Sequence, residues 1–169
     1  MQARGFFVRR DPAFNSLALA PVNPGPWQVR ITELAGIQSA DPDKLAAFRA
    51  KGGKVLMAHG KHDPLVSNRT TQDFARQLEA KMGDSGDFLR YYEIPGYGHA
   101  VSTVFNASWD SLTALERWVE EGIEPGPQVV ADTVAVPGRT RPLCEYPAWP
   151  RYNGSGEVNI ATSFTCVTE

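Results

Sequence analysis

The sequence predicts an α/β fold with a parallel sheet, and the order of its middle segments carries this prediction. Residues 54–60 form a short, nearly all-apolar run, as expected for a strand buried on both faces of such a sheet. Residues 88–94 read as a second strand that stops at Pro95. Helical segments precede, separate and follow the two strands, and this alternation is typical of α/β proteins.

Three helices are predicted from capping residues and from the spacing of apolar side chains. The first begins with Asp41 as its N-cap and Pro42 at its first position, where the missing N–H costs no hydrogen bond. The second begins at Thr70, followed by Asp73 in a capping-box pattern. The third covers 108–121. The apolar side chains expected to face the core are Leu45 and Phe48, then Phe74, Leu78 and Met82, and finally Leu112, Leu115, Trp118 and Val119.

The two flanks of the chain are expected to be less regular. Prolines punctuate residues 1–40, in which one short helix is predicted from Trp27 to Leu34. Such a long irregular stretch is uncommon in a small domain, so we interpret it as the end of an element that begins elsewhere. Residues 123–169 hold six prolines and no helical period, which predicts an extended tail with one strand over 128–136.

Composition excludes some classes of partner. The 169 residues carry a formal net charge of −2, so we expect no nucleic-acid partner and no anionic membrane surface, because both attract basic proteins. No apolar run approaches the ~20 residues of a membrane helix, and the first residues lack a signal-peptide pattern. The two cysteines, Cys144 and Cys166, lie in the tail. The residues alone leave open whether they form a disulfide or remain buried thiols.

Two loops that follow the predicted strands carry the candidate catalytic side chains. Asp63 comes shortly after the first strand, and His99 follows the second within Gly96-Tyr97-Gly98-His99. The carboxyl ends of parallel strands meet at one edge of the sheet, so an acid and an imidazole are expected to lie together there. A serine nucleophile needs a histidine to take its proton and a carboxylate to orient that histidine. In α/β-hydrolases the chain order is Ser, Asp, His, and Asp63 before His99 fits that order.

Each of these side chains also has a simpler interpretation. Asp63 before Pro64 is a common way to open a turn, and a loop histidine such as His99 is often only a surface residue. A metal site made of His59, His62, Asp63 and His99 is a further alternative. We expect no metal and no other cofactor, because His59 and His62 straddle a strand-to-loop transition. His59 is expected to shape the strand end through a hydrogen bond, and His62 to be an exposed loop residue.

The nucleophile is missing from the sequence. An esterase of this class carries its serine on a strand-to-helix elbow, usually Gly-x-Ser-x-Gly. Residues 83–86 resemble that motif in letters, but they follow a helix and precede a strand. Ser155 lies in the tail, and Ser16 and Ser39, which alone precede Asp63, have no elbow around them. We therefore expect the serine and its oxyanion hole to lie outside this chain.

From about Val8 to Cys166 the chain resembles the C-terminal portion of the tannase and feruloyl esterase family. The resemblance is most specific in the tail, where Cys144 ends one motif and Cys166 ends another. The matching pieces are Arg10-Asp-Pro-Ala-Phe14, Lys51-Gly-Gly-Lys-Val55, His59-Gly60 with Asp63-Pro-Leu-Val-Ser67, Ile94-Pro-Gly-Tyr-Gly-His99, Ala114-Leu-Glu-Arg-Trp-Val119, Arg139-Thr-Arg-Pro-Leu-Cys144, Tyr152-x-Gly154-x-Gly156 and Phe164-x-Cys166.

This resemblance implies residue roles. Asp63 would be the triad acid, His99 the triad base, and Cys144 and Cys166 a disulfide. Family members are typically secreted and hydrolyse phenolic esters such as feruloyl and galloyl esters, while relatives cleave a terephthalate monoester. Many members place a cysteine directly after the catalytic histidine, paired with another beside the nucleophile; here that position is Ala100.

The resemblance also implies a division of the chain. Residues 1–40 would be the end of a lid, 41–122 the C-terminal part of an α/β-hydrolase core, and 123–169 a disulfide-linked tail.

We interpret the chain as the C-terminal fragment of a secreted or periplasmic carboxylic ester hydrolase. Its substrate would be a small aromatic ester, and its partner the missing N-terminal part of the same fold. Tyr97 is a candidate for the substrate pocket because it neighbours His99. The alternatives are a truncated product or binding module without catalysis, and a different α/β-hydrolase such as a peptidase.

Overall fold

The computed structural model describes residues 4–20, 22–100, 102 and 104–169. The chain forms two compact units, Met1–Asp41 and Pro42–Glu169. No helix in the described part of the chain is long and apolar enough to cross a membrane.

The first unit is more helical than its sequence predicts. It contains a π-helical segment, Arg4–Arg9, two 3-10 turns and helix α1, Gln28–Gln38. The short helix predicted here is confirmed, and it extends one turn further than expected. The irregular structure predicted for Arg4–Arg9 is wrong. The Arg9 guanidinium lies 4.3 Å from the Trp27 ring centroid and 4.8 Å from that of Phe14, and this cation–π packing is not visible as local sequence periodicity.

The second unit contains the predicted parallel strand pair. Strand β1, Val55–Gly60, pairs in parallel with β2, Leu89–Ile94. Three α-helices precede, connect and follow these strands, so the predicted α/β alternation is confirmed. The helices are α2, Pro42–Ala50, α3, Asn68–Met82, and α4, Ser111–Glu120.

The two strands differ in burial. Strand β2 is buried at five of its six positions, because β1 lies on one side and the tail on the other. The Tyr146 backbone N–H donates to the Tyr91 carbonyl at 2.8 Å on that second side. Strand β1 pairs with β2 alone among the described residues, and most of its positions are half-buried. The prediction that 54–60 is buried on both faces is therefore wrong for this chain.

Helix α3 begins one turn earlier than predicted. Its N-cap is Ser67, whose hydroxyl accepts from the Arg69 N–H at 3.3 Å. Thr70, the predicted cap, instead donates its hydroxyl to the Ser67 carbonyl at 2.6 Å. Asp73 pairs with Arg76 rather than closing a capping box. The predicted apolar stripe is confirmed, because Phe74, Leu78 and Met82 pack with Phe88 and Leu89 in one core cluster.

Helix α4 buries a narrower face than predicted. It begins at Ser111, with the Asp110 carboxylate accepting from the Thr113 N–H at 3.2 Å. Trp118 is buried and Leu115 half-buried, but two side chains assigned to the core, Leu112 and Val119, are exposed. The buried positions follow a single i, i+3, i+4, i+7 stripe, and the two exposed residues lie beside it.

The tail and the segment that precedes α4 are built mostly of short strands. Strands β3, Ala107–Ser108, β4, Gln128–Asp132, and β5, Thr140–Leu143, form an antiparallel sheet, and β6, Trp149–Tyr152, pairs with β7, Phe164–Val167. The strand predicted over 128–136 is confirmed in place but ends at Asp132, where a turn begins.

A disulfide joins the end of β5 to β7. The Cα atoms of Cys144 and Cys166 are 5.6 Å apart, and the disulfide that the resemblance implies is confirmed. Side chains of β2, β4 and β5 share one core cluster with Phe105, which precedes β3. The members from the strands are Tyr92, Ile94, Val130 and Leu143.

Candidate active site

The turn after β1 holds the Asp63 carboxylate in place. Its Oδ1 atom accepts from the backbone N–H groups of Leu65, at 2.8 Å, and Val66, at 2.9 Å. The Asp63 side chain is only 5 % exposed. Asp63 does cap a turn, as the simpler interpretation expects, but the turn uses Oδ1 and leaves Oδ2 available for another partner.

That partner is His99, in the loop after β2. The His99 Nδ1 atom lies 2.8 Å from Asp63 Oδ2. Because an ionised carboxylate only accepts hydrogen bonds, Nδ1 carries the proton and donates it. The ring is 49 % exposed, and its Nε2 atom has no hydrogen-bond partner within the described part of the chain. The neutral ring thus presents the Nε2 lone pair, as a general base requires.

Hydrogen bonds join the two loops directly. The Lys61 N–H donates to the Ile94 carbonyl, and the His62 N–H to the Tyr97 carbonyl, both at 3.0 Å. The Gly96 N–H donates to His62 Nδ1, also at 3.0 Å. His62 is exposed, as predicted, but its role as a bridge between the loops was not predicted. These contacts fix the spacing between the loop that carries Asp63, the acid loop, and the loop that carries His99, the base loop.

Two glycines are required by this close approach. A Cβ atom on Gly60 would collide with the carbonyl oxygens of Tyr97 and Gly98, so any side chain there would force the loops apart. Gly96 has a φ of +76°, in the region that favours glycine, and this lets the backbone turn sharply before His99. The position of Gly60 at a strand end was an available signal for close backbone approach.

The environment keeps Asp63 ionised. Desolvation raises the pKa of this carboxyl, but the hydrogen bonds from Val66, His99 and Leu65 outweigh it and lower the pKa to about 2. The group is therefore an anion throughout the physiological range. An anion at this position stabilises the imidazolium that forms when His99 takes a proton.

A cavity of about 370 Å³ adjoins the pair. Tyr97 lines it, as the sequence suggests, but its hydroxyl donates to the Ala100 carbonyl at 2.6 Å and closes the base loop. Trp109 contributes a second aromatic wall that sequence reasoning missed, because it follows the short strand β3, which was not predicted. Residues on its lining include His59, Asp63, Val66, Tyr97, His99 and Trp109.

The other two candidate ligands are held by hydrogen bonds to groups that are not metal ligands, and His62 accepts from the Gly96 N–H. His59 Nδ1 lies 2.7 Å from Thr71 Oγ1, and Nε2 lies 3.1 Å from the Val66 carbonyl, so His59 bonds the strand end to α3. In the part of the chain that the structure describes, no group of three or more His, Cys, Asp or Glu residues is arranged to hold a metal ion.

No described serine is hydrogen-bonded to His99. Ser102 is near in sequence, but its hydroxyl donates to the Gly96 carbonyl at 2.8 Å. Ser85 lies in the loop between α3 and β2, which is not a strand-to-helix elbow. The arrangement can therefore accept and return a proton, and no serine in the described part of the chain is placed to give one to His99.

Comparison with known proteins identifies relatives of the whole chain. The chain is 38 % identical over 167 residues to an uncharacterized esterase of Agrobacterium fabrum, covering 96 % of this chain and 30 % of the relative. It is 38 % identical over 128 residues to the mono(2-hydroxyethyl) terephthalate hydrolase of Piscinibacter sakaiensis, covering 72 % of this chain and 21 % of that enzyme. The chain thus spans about a third or less of the curated relatives it matches.

Fold comparison agrees with the sequence comparison. The crystal structure of an esterase from Aspergillus oryzae matches with a TM-score of 0.81 and 25 % identity, covering 98 % of this chain and 36 % of that one. The predicted α/β-hydrolase type of fold is confirmed at this level. The model of the family described as tannase and feruloyl esterase matches residues 3–167. The chain therefore belongs to the tannase and feruloyl esterase family.

Proposed function

We propose that Asp63 and His99 are the acid and the base of a Ser-His-Asp carboxylic ester hydrolase. The observation that carries this proposal is the 2.8 Å hydrogen bond from His99 Nδ1 to Asp63 Oδ2, with Nε2 left unpartnered in the described part of the chain. The nucleophilic serine belongs to residues outside this sequence. The limited coverage of the relatives supports this, as does the lack of an elbow serine near His99.

The chemistry follows from the tautomer. His99 Nε2 takes the serine proton as the hydroxyl attacks the ester carbonyl, and the ring becomes an imidazolium. Asp63, held ionised by two backbone N–H groups, stabilises that charge and keeps Nε2 aimed. His99 then gives the proton to the leaving alcohol. In the second half of the cycle His99 deprotonates a water that attacks the acyl-serine, and the ring returns this proton to the serine oxygen as the acid leaves.

The proposed substrates are phenolic esters of the feruloyl and galloyl type. The family description supports this choice, and the aromatic side chains of Tyr97 and Trp109 at the cavity suit a planar ring. We further propose that residues 1–40 end a lid, that 41–122 complete the hydrolase core and that 123–169 form its tail. The disulfide supports a secreted or periplasmic location.

A hybrid enzyme tests the proposal. The segment of the Agrobacterium esterase that matches this chain, 30 % of that protein, is replaced by residues 1–169. We expect the hybrid to hydrolyse methyl ferulate or a galloyl ester, and His99→Ala to lower kcat by about 10³-fold or more. Glu116→Ala, exposed on α4, is the matched control and should leave the rate unchanged.

The isolated chain provides the complementary measurement. We expect purified residues 1–169 to show no turnover of either ester. Turnover that His99→Ala abolishes would mean that a serine of this chain, or of a second copy, completes the site. A folded hybrid whose hydrolysis is insensitive to His99→Ala would contradict the assigned base.

A further inference from the structure

A second imidazole lies beside Asp63, and the proposed mechanism does not use it. His59 is the penultimate residue of β1, and its side chain is only 12 % exposed. Its Nε2 atom lies 3.1 Å from the Val66 carbonyl oxygen and 3.5 Å from Asp63 Oδ2. Its Nδ1 atom lies 2.7 Å from Thr71 Oγ1 on α3.

These contacts determine the tautomer of His59. Nε2 faces two atoms that only accept hydrogen bonds, the Val66 carbonyl oxygen and a carboxylate oxygen, so Nε2 carries a proton. In the neutral ring Nδ1 is then an acceptor, and the Thr71 hydroxyl donates to it. Both ring nitrogens are occupied, so His59 has no free lone pair with which to take a proton from a substrate. The contacts of His59 therefore indicate a structural role.

The contacts of His59 form a chain of hydrogen bonds that connects helix α3 with the Asp63 carboxylate. Thr71 orients His59, His59 holds the Val66 carbonyl, and the Val66 N–H donates to Asp63 Oδ1 at 2.9 Å. Both backbone polar groups of Val66 are therefore engaged. Among the contacts that lower the pKa of Asp63, the Val66 hydrogen bond is the largest.

We propose that His59 is a positioning residue for Asp63: it clamps the turn that carries the acid by bonding the Val66 carbonyl, so that the carboxylate stays directed at His99. This inference rests on the proposed function only in giving that orientation a catalytic purpose. The clamp joins strand β1, the acid turn and helix α3, and it acts through Val66 without touching the reacting atoms.

Variants at Thr71 and His59 test the clamp in the 169-residue chain. Thr71→Val removes the hydroxyl while keeping the shape, and Thr71→Ser restores a hydroxyl. His59→Phe removes both ring nitrogens, whereas His59→Gln keeps an N–H donor. Thr70→Val is the matched control, since that neighbouring hydroxyl bonds the Ser67 carbonyl and not His59.

Two NMR signals report the result. One is the exchange rate of the Val66 amide proton with solvent, and the other is the low-field proton on His99 Nδ1. We expect His59→Phe to speed Val66 exchange by about tenfold, the loss of one hydrogen bond, and to broaden or abolish the His99 signal. Thr71→Val should move both signals in the same direction but less. Thr71→Ser, His59→Gln and Thr70→Val should resemble the parent chain.

The proposal is overturned if Thr71→Val and His59→Phe leave both signals at their parental values. Thr71→Val alone decides the matter should His59→Phe lose its fold, because the valine preserves the side-chain shape. Neither signal requires an ester. An inactive hybrid with a responsive Val66 amide would therefore refute the proposed function and retain the clamp, and an active hybrid with unresponsive signals would do the reverse.

Discussion

Two aspartates in this chain are kept ionised by hydrogen bonds from backbone N–H groups. They differ in the side chain that contacts the second carboxylate oxygen. Asp63 follows β1, and its Oδ1 accepts two backbone N–H groups of its own turn. Asp132 ends β4, is fully buried and lies 2.6 Å from the Arg139 guanidinium. The Asp132 carboxylate also accepts four backbone hydrogen bonds of 3.0 to 3.1 Å, from the N–H groups of Asn106, Val134, Ala135 and Val136.

The difference separates a structural carboxylate from one suited to chemistry. Every partner of Asp132 is a permanent donor, and Arg139 stays protonated at any physiological pH, so the charge state of the cluster does not change. Asp63 instead meets His99, a half-exposed ring that can gain and lose a proton at Nε2. Saturated hydrogen bonding stabilises a fold, whereas one titratable partner at a cavity permits proton transfer.

The largest expected effect separates the two carboxylates by activity. In the hybrid esterase, Asp63→Asn should lower kcat by about 10³- to 10⁴-fold, because the amide does not stabilise the imidazolium and favours the wrong tautomer of His99. Asp132→Asn should retain most of the specific activity of the folded fraction. Equal losses of kcat in the two folded variants would erase the distinction between them.

Removing the disulfide should weaken the Asp132 region and spare the acid–base pair. Cys144 and Cys166 close a 22-residue separation, which corresponds to about 3 kcal/mol in the chain-entropy account. Denaturant unfolding of the double variant Cys144→Ala, Cys166→Ala should show a loss of that order. The low-field His99 proton should persist below the transition, and its disappearance there would couple the two regions.

Thermal unfolding should rank the two aspartate variants in the opposite order, with Asp132→Asn losing more stability than Asp63→Asn. Asp132→Asn leaves the Arg139 guanidinium and the Val136 N–H facing an amide nitrogen, so we expect its Tm to fall on the order of 10 °C. We expect a smaller fall in Tm for Asp63→Asn. Asp73→Asn, exposed on α3, is the control for a surface ion pair and should change Tm by about 1 °C or less. A larger loss for Asp63→Asn would make its turn the main structural carboxylate.

The smallest expected difference between Asp63 and Asp132 is the pH at which each carboxylate protonates. The pKa of Asp63 is lowered to about 2, and backbone and Arg139 hydrogen bonds outweigh desolvation to hold the pKa of Asp132 lower still. Because both folded pKa values lie below the usual 3.8, each group stabilises the fold above about pH 4. That stability declines as the pH falls, down to about 2 for Asp63 and further for Asp132. Carboxyl ¹³C titration of the folded chain should show Asp63 protonating first.

Local patterns predicted much of the fold and the main pair of the site. The sites of β1, β2 and the helices were predictable because apolar spacing and capping residues act within one element. Asp63 and His99 were predictable because parallel strands bring their carboxyl ends to one edge. The N-cap of α3 was misplaced because Ser67 and Thr70 are both good caps, and only the path of the acid turn selects between them.

Long-range contacts were beyond local patterns. The turn around Asp132 depends on Arg139, seven residues further along the chain, and on Asn106, which precedes α4. His62 and His59 were read as separate loop and strand-end residues, but each bonds a segment distant in sequence or in a different element.

By itself the sequence determined the order of helices and strands, the loops that carry Asp63 and His99, and, through the family motifs, the pairing of Cys144 with Cys166. Only the tertiary structure decided which oxygen of Asp63 meets His99, that Gly60 must lack a side chain, and that His59 clamps the acid turn through Val66. The reason is physical: periodicity and capping depend on neighbours along the chain, whereas hydrogen-bond partners and excluded volume depend on which backbones the fold brings together.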